Sequence, residues 1–457
     1  MSMDPEAKMP TPRVVSRRAA LTVLGASLAL FCTVGFLNAF GVFQEHYHSG
    51  LLQDKSESDI SWIGSVSLFF LSGLAPASGV LVDRIGPRSP LVIGSLGLLV
   101  AIFTTSLCTQ YYQFFLAQAV LLGASTSLLT WPPMAVVSRS LPSHRGLALG
   151  VVVGGSSIGG IIWPIMLARL FDHSSLSFGW IMRIVGFIML PLLAIACVTI
   201  REPPASLPGP LPPKSQPPSR TTASATPPSD SNDTASSSSS QEDAAENSSL
   251  PATTEKKKVK RSEIVTLLKR PVFIFLALGL GIGNIGLFIP LFFISSYATS
   301  LGMSSQVAFY LIPAINAASL FGRLLPGYLA DSHGHYNICI AALFASAITA
   351  FSWTAAKSLA GLIVVSLAYG FSSGAILALQ GACVFKIADH HMQGTALGLL
   401  MGCLATASLI GSPIAGALIS RYSYLAASMF TGASLITGCL LLIVARLWLN
   451  KNFLASV

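Results

Sequence analysis

Long apolar runs alternate with short polar connections along almost the whole chain. Each run is close to or above the ~20 residues that a helix needs to cross a hydrocarbon core of ~30 Å. Because lipid offers the backbone no hydrogen-bonding partner, such runs are expected to be helices. The pattern predicts an all-α integral membrane protein with twelve transmembrane helices, six on each side of a long polar interruption. The predicted spans cover residues 19–43, 60–82, 90–109, 113–138, 146–170, 180–200, 271–297, 306–330, 337–355, 359–385, 393–419 and 424–448.

Two short motifs recur along the chain at one common offset. Gly79-Val-Leu-Val-Asp83 returns as Gly327-Tyr-Leu-Ala-Asp331, and Gly146-Leu-Ala-Leu-Gly150 returns as Gly394-Thr-Ala-Leu-Gly398. Both pairs lie 248 positions apart, from 79 to 327 and from 146 to 394. Two unrelated motifs that share an offset indicate a duplicated chain. We therefore expect two pseudo-symmetric six-helix bundles, at residues 19–200 and 271–448.

Residues 201–270, between the two bundles, differ in composition from the rest of the chain. They are rich in Pro, Ser and Thr, and a basic run extends from Lys256 to Arg261. A segment of this kind cannot bury a core, so it is expected to be a disordered linker. A plain tether is one interpretation, and a regulatory phosphorylation or lipid-contact segment is the other. Polar tails are predicted at residues 1–18 and 449–457.

The basic residues predict how the chain is oriented in the membrane. Of the 27 Lys and Arg residues, 21 fall in the tails, the linker and the loops on one side of the predicted spans, and five fall on the other side. The excess marks the cytosolic side, so both termini and the linker are expected there. The net charge of +9 then reflects topology and anionic lipid and does not indicate nucleic-acid binding. The plasma membrane is the expected location, with the vacuolar membrane as the alternative.

Composition also limits the chemistry that the chain can carry. Hydrophobic residues make up 52% of the chain and charged residues only 10%, with a mean hydropathy of +0.68. The seven cysteines lie in apolar runs and form no CxxC pair, so we expect neither a metal site nor a disulfide framework. No span combines His, Cys or carboxylates at the spacing of a catalytic site. We therefore predict that the protein is not an enzyme and uses no cofactor.

The loop between the second and third spans carries a recognisable motif. It reads Gly79-Val-Leu-Val-Asp83-Arg84-Ile-Gly86-Pro87-Arg88 and resembles the loop signature G-x-x-x-D-R-x-G-R-[KR] of the major facilitator superfamily. The resemblance implies a cytosolic gate in which salt bridges break and re-form as the two halves rock. The gating residues expected from it are Asp83, Arg84, Arg88, Arg145 and, in the second copy, Asp331. A merely structural turn is the alternative, and the second copy has Ser332 in the place of Arg84.

Glycines lie on one face of the fifth and eleventh spans. They are Gly146, Gly150 and Gly154 in one half, and Gly394, Gly398 and Gly402 in the other. Small residues at this spacing let helices approach closely in lipid. Static packing would explain one such face, whereas matched faces in both halves suggest helices at the seam between the halves. The string around Gly146 also resembles the fifth-helix signature of the monocarboxylate porter family, particularly its fungal members, as does Gly322-Arg323-Leu-Leu-Pro-Gly327.

Arg323 is an ionisable residue inside the eighth span. A charge at that depth is costly and usually faces a cavity or a partner. Its repeat equivalent is Ala75, so the duplicated fold does not itself require an arginine. The porter resemblance places the residue at the substrate carboxylate, while a structural contact with helix-end carbonyls is the alternative. Proton-coupled members carry an Asp one turn earlier, where this chain has Ser319, so no proton relay is assigned.

Other polar residues inside the spans are candidates for a substrate cavity. Each of them could instead form an ordinary hydrogen bond between helices. The candidates are Asn38, Asn284, Asn316 and Gln380.

Together these features predict a monocarboxylate-porter-like secondary transporter. It would move a small organic acid or related metabolite across the bilayer by alternating access, as a monomer, with or without a proton as the coupling partner. One alternative is an efflux transporter for a fungal secondary metabolite. A further alternative is a nutrient sensor on the same fold that has lost transport.

Overall fold

The computed structural model describes residues 16–55, 57–173, 175–202 and 261–452. Most of the two tails and of the linker, for which domain boundaries were predicted, lies outside the described residues. Every regular element within the described ranges is helical. Eleven helical segments there are long and apolar enough to cross a membrane, and the other expected span is the 29-residue helix Ser305–His333. The predicted all-α membrane fold is confirmed.

The helices follow the predicted spans closely in both halves. The first half contains α1 (Arg17–Cys32, Val34–Leu37 and Phe40–His46), α2 (Glu57–Gly73 and Ala75–Ile85), α3 (Arg88–Thr105), α4 (Tyr111–Phe114, Phe115–Leu121 and Leu122–Ser140), α5 (Arg145–His173) and α6 (Phe178–Thr199). The second half contains α7 (Pro271–Leu287 and Ile289–Ser300), α8 (Ser305–His333), α9 (His335–Ser352), α10 (Leu359–Ile387), α11 (Gln393–Arg421) and α12 (Tyr424–Leu449).

The first helix of each half is interrupted at a corresponding position. Helix α1 breaks around Asn38 and resumes at Phe40, and α7 breaks at Phe288, which is the repeat equivalent of Phe40. In α7, Pro290 follows the break; proline lacks an N–H and crowds the preceding turn, so the helix restarts there. Interrupted spans of this kind leave backbone polar groups available near the middle of a transporter.

Residues Arg261–Lys269 form an additional helix, here called the linker helix. The predicted disordered linker extended to residue 270, and this boundary is corrected. Leu267 is only 2% exposed, Ile264 packs against the core, and a Glu263 carboxylate oxygen lies 3.2 Å from His391 Nε2. These contacts with the bundle stabilise a helix too short to be stable alone.

The described residues of both halves belong to one compact unit. Helix α5 of the first half packs against α8 and α10 of the second, and α11 packs against α2 and α4. Two pairs of helix–helix contacts therefore form the seam between the halves, and the sequence repeat relates one pair to the other.

Candidate functional site

Asp83 joins the two halves at one end of the bundle. It lies in the last turns of α2 and accepts hydrogen bonds from Gly394 N (3.2 Å), Thr395 N (2.6 Å) and Thr395 Oγ1 (2.8 Å) at the start of α11. The first N–H groups of a helix have no partner within that helix, and a negative charge is stabilised beside them. A carboxylate of the first half thus caps a helix of the second.

Asp331 makes the repeat-related contact in the opposite direction. At the end of α8 it accepts hydrogen bonds from Gly146 N (2.7 Å) and Leu147 N (3.0 Å) at the start of α5. Each residue of this contact lies 248 positions from its counterpart in the Asp83 contact. We call these contacts the Asp83 latch and the Asp331 latch, and the end of the bundle that carries them the aspartate face. In the described structure the halves are held together at this face.

The two latches differ in the cation beside each carboxylate. Asp83, whose side chain is 0% exposed, pairs with Arg139 at the end of α4. Arg139 also lies 3.2 Å from a carboxylate oxygen of Glu202, where the linker begins. Asp331, whose side chain is 11% exposed, lies 3.3 Å from His335 Nε2. The Asp83 latch therefore contains a permanent cation, and the Asp331 latch contains one whose charge depends on protonation.

The basic residues predicted for the gate occupy unlike positions. Arg84 and Arg88 are exposed and form no ion pair with any described residue. Arg145 is buried, and its guanidinium carbon lies 6.0 Å from the centre of the Phe385 ring across the seam, within cation–π range. Arg139 and Thr395, by contrast, were not singled out from the sequence, because nothing local shows that they meet Asp83.

Both glycine faces lie at the seam, each against a helix of the opposite half. Along α5, a Cβ at Gly146 would overlap the carbonyl oxygen of Gly327, and one at Gly150 would overlap that of Arg323. Along α11, a Cβ at Gly398 would overlap the carbonyl oxygen of Ala75. The third glycine of each face also lies close to the opposite half. A Cβ at Gly154 would lie 3.0 Å from Leu320 Cδ1, and one at Gly402 would lie 2.7 Å from Pro76 Cγ. Gly394 packs against the Gly79 backbone.

Arg323 lies buried at this seam, only 4% exposed. Its Nη1 donates hydrogen bonds to the carbonyl oxygen of Val153 (2.7 Å) and to Ser156 Oγ (2.8 Å), both on α5. Its Nε is buried and has no hydrogen-bond partner in the described part of the chain. No Asp or Glu among those residues pairs with it. A buried guanidinium that only neutral dipoles compensate has donor capacity for an anion.

Comparison with known proteins identifies the family. The model of the Major Facilitator Superfamily matches residues 19–401 and 317–453. This chain belongs to the major facilitator superfamily. An MFS-type transporter of Aspergillus fumigatus is 52% identical over 97% of this chain and 95% of that protein. The agnestins efflux protein of Paecilomyces divaricatus is 41% identical, covering 96% and 90%. The aspyridones efflux protein of Emericella nidulans is 37% identical, covering 94% and 78%.

Two of the predicted amides lie beside the same glycine in this facilitator. A Cβ at Gly160 of α5 would lie 2.9 Å from Asn38 Nδ2 and 3.0 Å from Asn316 Oδ1. Asn38 belongs to the break in α1. Asn316 stands seven residues before Arg323 and hence on the same face of α8, about 10 Å away along the axis at ~1.5 Å per residue. The seam between α5 and α8 therefore carries a cation and two amides.

The other two amides lie elsewhere in the second half. Asn284 Nδ2 donates to Ser408 Oγ at 2.5 Å, which joins α7 to α11. Gln380 is buried in α10, on the helix that packs against α8 and α5. Ser156, which does contact Arg323, was missed by the sequence analysis, because a serine in a glycine-rich span carries no signal of its own.

Proposed function

We propose that this facilitator is a monomeric efflux transporter that exports a secondary metabolite bearing an acidic group. The observation that carries the proposal is the Arg323 guanidinium, which is buried at the seam between the halves and has no carboxylate partner among the described residues. A site that holds a cation in this way favours an anionic group in the substrate. Asn38 and Asn316 would contact polar atoms of the same molecule, with Asn284 and Gln380 as further candidates.

The relatives favour export over uptake. Two of them are named as efflux proteins, one for agnestins and one for aspyridones, and each aligns over more than nine-tenths of this chain. The resemblance to monocarboxylate porters supports a separate part of the proposal, namely that Arg323 in the eighth span binds an acidic group of the substrate. The efflux alternative therefore replaces the transport of a simple small organic acid as the leading interpretation.

The latches supply the alternating-access step. Arg323 precedes Asp331 by eight residues, about 12 Å along α8, so the latched aspartate face separates it from that side of the membrane. Opening would require Asp83 to leave the start of α11 and Asp331 to leave the start of α5. The excess of Lys and Arg supports a cytosolic aspartate face, with both termini inside and the plasma membrane as location. The exposed Arg84 and Arg88 remain proposed partners for the open state.

Untargeted metabolite profiling tests this function. Cells with and without the protein are compared, with compounds measured both inside the cells and in the medium. We expect at least one acidic compound to accumulate inside when the protein is absent and to appear in the medium when it is present. Net uptake, or changes confined to neutral and cationic compounds, would contradict the proposal. An unchanged metabolite profile together with an altered transcriptional response would favour the sensor alternative.

A further inference from the structure

The linker helix directly precedes a helix long and apolar enough to cross a membrane. It ends at Lys269, and α7 begins at Pro271. Only Arg270 separates it from a span that enters the bilayer. It contacts residues at the aspartate face, at the end of the span, where lipid headgroups are expected.

Both apolar and polar residues of the linker helix contact the bundle. Ser262, Glu263, Thr266 and Arg270 line a cavity of about 140 Å³ together with Asp389 on the turn before α11. Glu263 contacts His391 at 3.2 Å, and Arg270 Nη1 donates to the Ile387 carbonyl at 3.0 Å. Leu267 is buried on this side, and Ile264 packs against the core beside it.

The outward side of the linker helix is apolar at its centre and basic at its edges. Val265 is 40% exposed and Leu268 is 38% exposed. Arg261 and Lys269, each four residues from Val265, are exposed on the same side. A surface helix next to water places its apolar side on the protein and its polar side outward. The outward side of the linker helix instead exposes Val265 and Leu268 between two basic residues, a combination suited to the boundary between lipid and water.

We propose that the linker helix is an interfacial element that binds anionic lipid at the aspartate face. Val265 and Leu268 enter the boundary between headgroups and acyl chains, while Arg261 and Lys269 contact the anionic headgroups. His391 lies two residues before Gln393, the start of α11, so lipid bound here is held next to the Asp83 latch.

Hydrogen exchange of the full-length protein in nanodiscs tests this proposal. Neutral phosphatidylcholine discs are compared with discs that also contain phosphatidylserine, and protection is read from peptides covering residues 261–270. We expect stronger protection in the anionic discs. The double variant Arg261→Gln/Lys269→Gln should lose about 25-fold of that protection, which corresponds to ~1 kcal/mol for each basic residue near an anionic surface.

A matched charge variant and a soluble anion serve as controls for this experiment. Lys357→Gln/Arg421→Gln removes the same charge from exposed positions away from the linker helix, and it should leave the protection unchanged. Val265→Ser/Leu268→Ser should reduce protection in both kinds of disc. Equal protection of the unmodified protein in neutral and anionic discs would overturn the proposal. So would protection produced in neutral discs by inorganic phosphate alone, because the ligand would then be a free anion.

Discussion

Gly150 and Arg323 meet backbone to backbone at the seam between the two halves. A Cβ at Gly150 would overlap the Arg323 carbonyl oxygen, so the helix that carries the buried cation is held against α5 at a distance that only glycine permits. The repeat-related pair, Gly398 and Ala75, makes the same backbone contact. The scaffold is thus symmetric at this point, and the arginine side chain breaks the symmetry.

Gly150→Ala should disfavour the latched state. Overpacking of a close contact typically costs ~1–3 kcal/mol, so we expect export to fall by about fivefold or more and the melting temperature of the purified protein to drop. Gly281→Ala is the matched control, because a Cβ at Gly281 would meet no described atom within 4 Å. Export that is equally affected by both substitutions would contradict the proposed role of the contact.

Arg139→Gln should impair transport far more than Arg84→Gln. Arg139 pairs with the buried Asp83, and removal of one partner of a buried ion pair costs ~3–5 kcal/mol. Arg84 is exposed, and surface charges contribute ~0–1 kcal/mol. Export rates at equal membrane abundance measure the difference, which we expect to exceed tenfold. If Arg84→Gln proves as damaging as Arg139→Gln, the loop arginine acts in the gate as the sequence motif implied.

The hydrogen bond between Asn284 and Ser408 makes it possible to test whether Asn284 has a structural role or binds the substrate. A double-mutant cycle with Asn284→Ala and Ser408→Ala, read as thermal stability, should give a coupling of ~0.6 kcal/mol and no more than ~1.7 kcal/mol, the mean and the maximum found for such bonds in a membrane protein. Export should then fall in step with stability in both single variants. A loss of export in Asn284→Ala alone, at unchanged stability, would indicate that Asn284 contacts the substrate.

The fold could be predicted from the sequence because its signals are local or periodic. Apolar runs of bilayer length show the spans, and a shared offset shows the duplication. The breaks in α1 and α7 could not be seen, because the apolar runs continue through them. The linker helix was missed as well, since it is too short to be stable alone and depends on Leu267 packing against the bundle.

The candidate site was predictable only in part. Arg323 is conspicuous as a charge inside an apolar run, and Asp83 as part of a motif. Their partners lie far away in sequence: Val153 is 170 residues from Arg323, and Thr395 is 312 residues from Asp83. No single-sequence pattern reports such contacts. They follow from how the halves pack, which the glycine faces indicate without specifying which helices meet.

The most direct test of the account is export by Arg323 variants of the acidic compound that profiling identifies. Hydrogen bonds to charged groups are worth ~1.5–3 kcal/mol, so Arg323→Gln at unchanged membrane abundance should reduce export by about tenfold or more. Arg323→Lys should retain part of it, because the charge remains but the planar fork is lost. Arg421→Gln, at an exposed position, should export like the unmodified protein. Undiminished export by Arg323→Gln would contradict the claim that this buried cation binds the substrate.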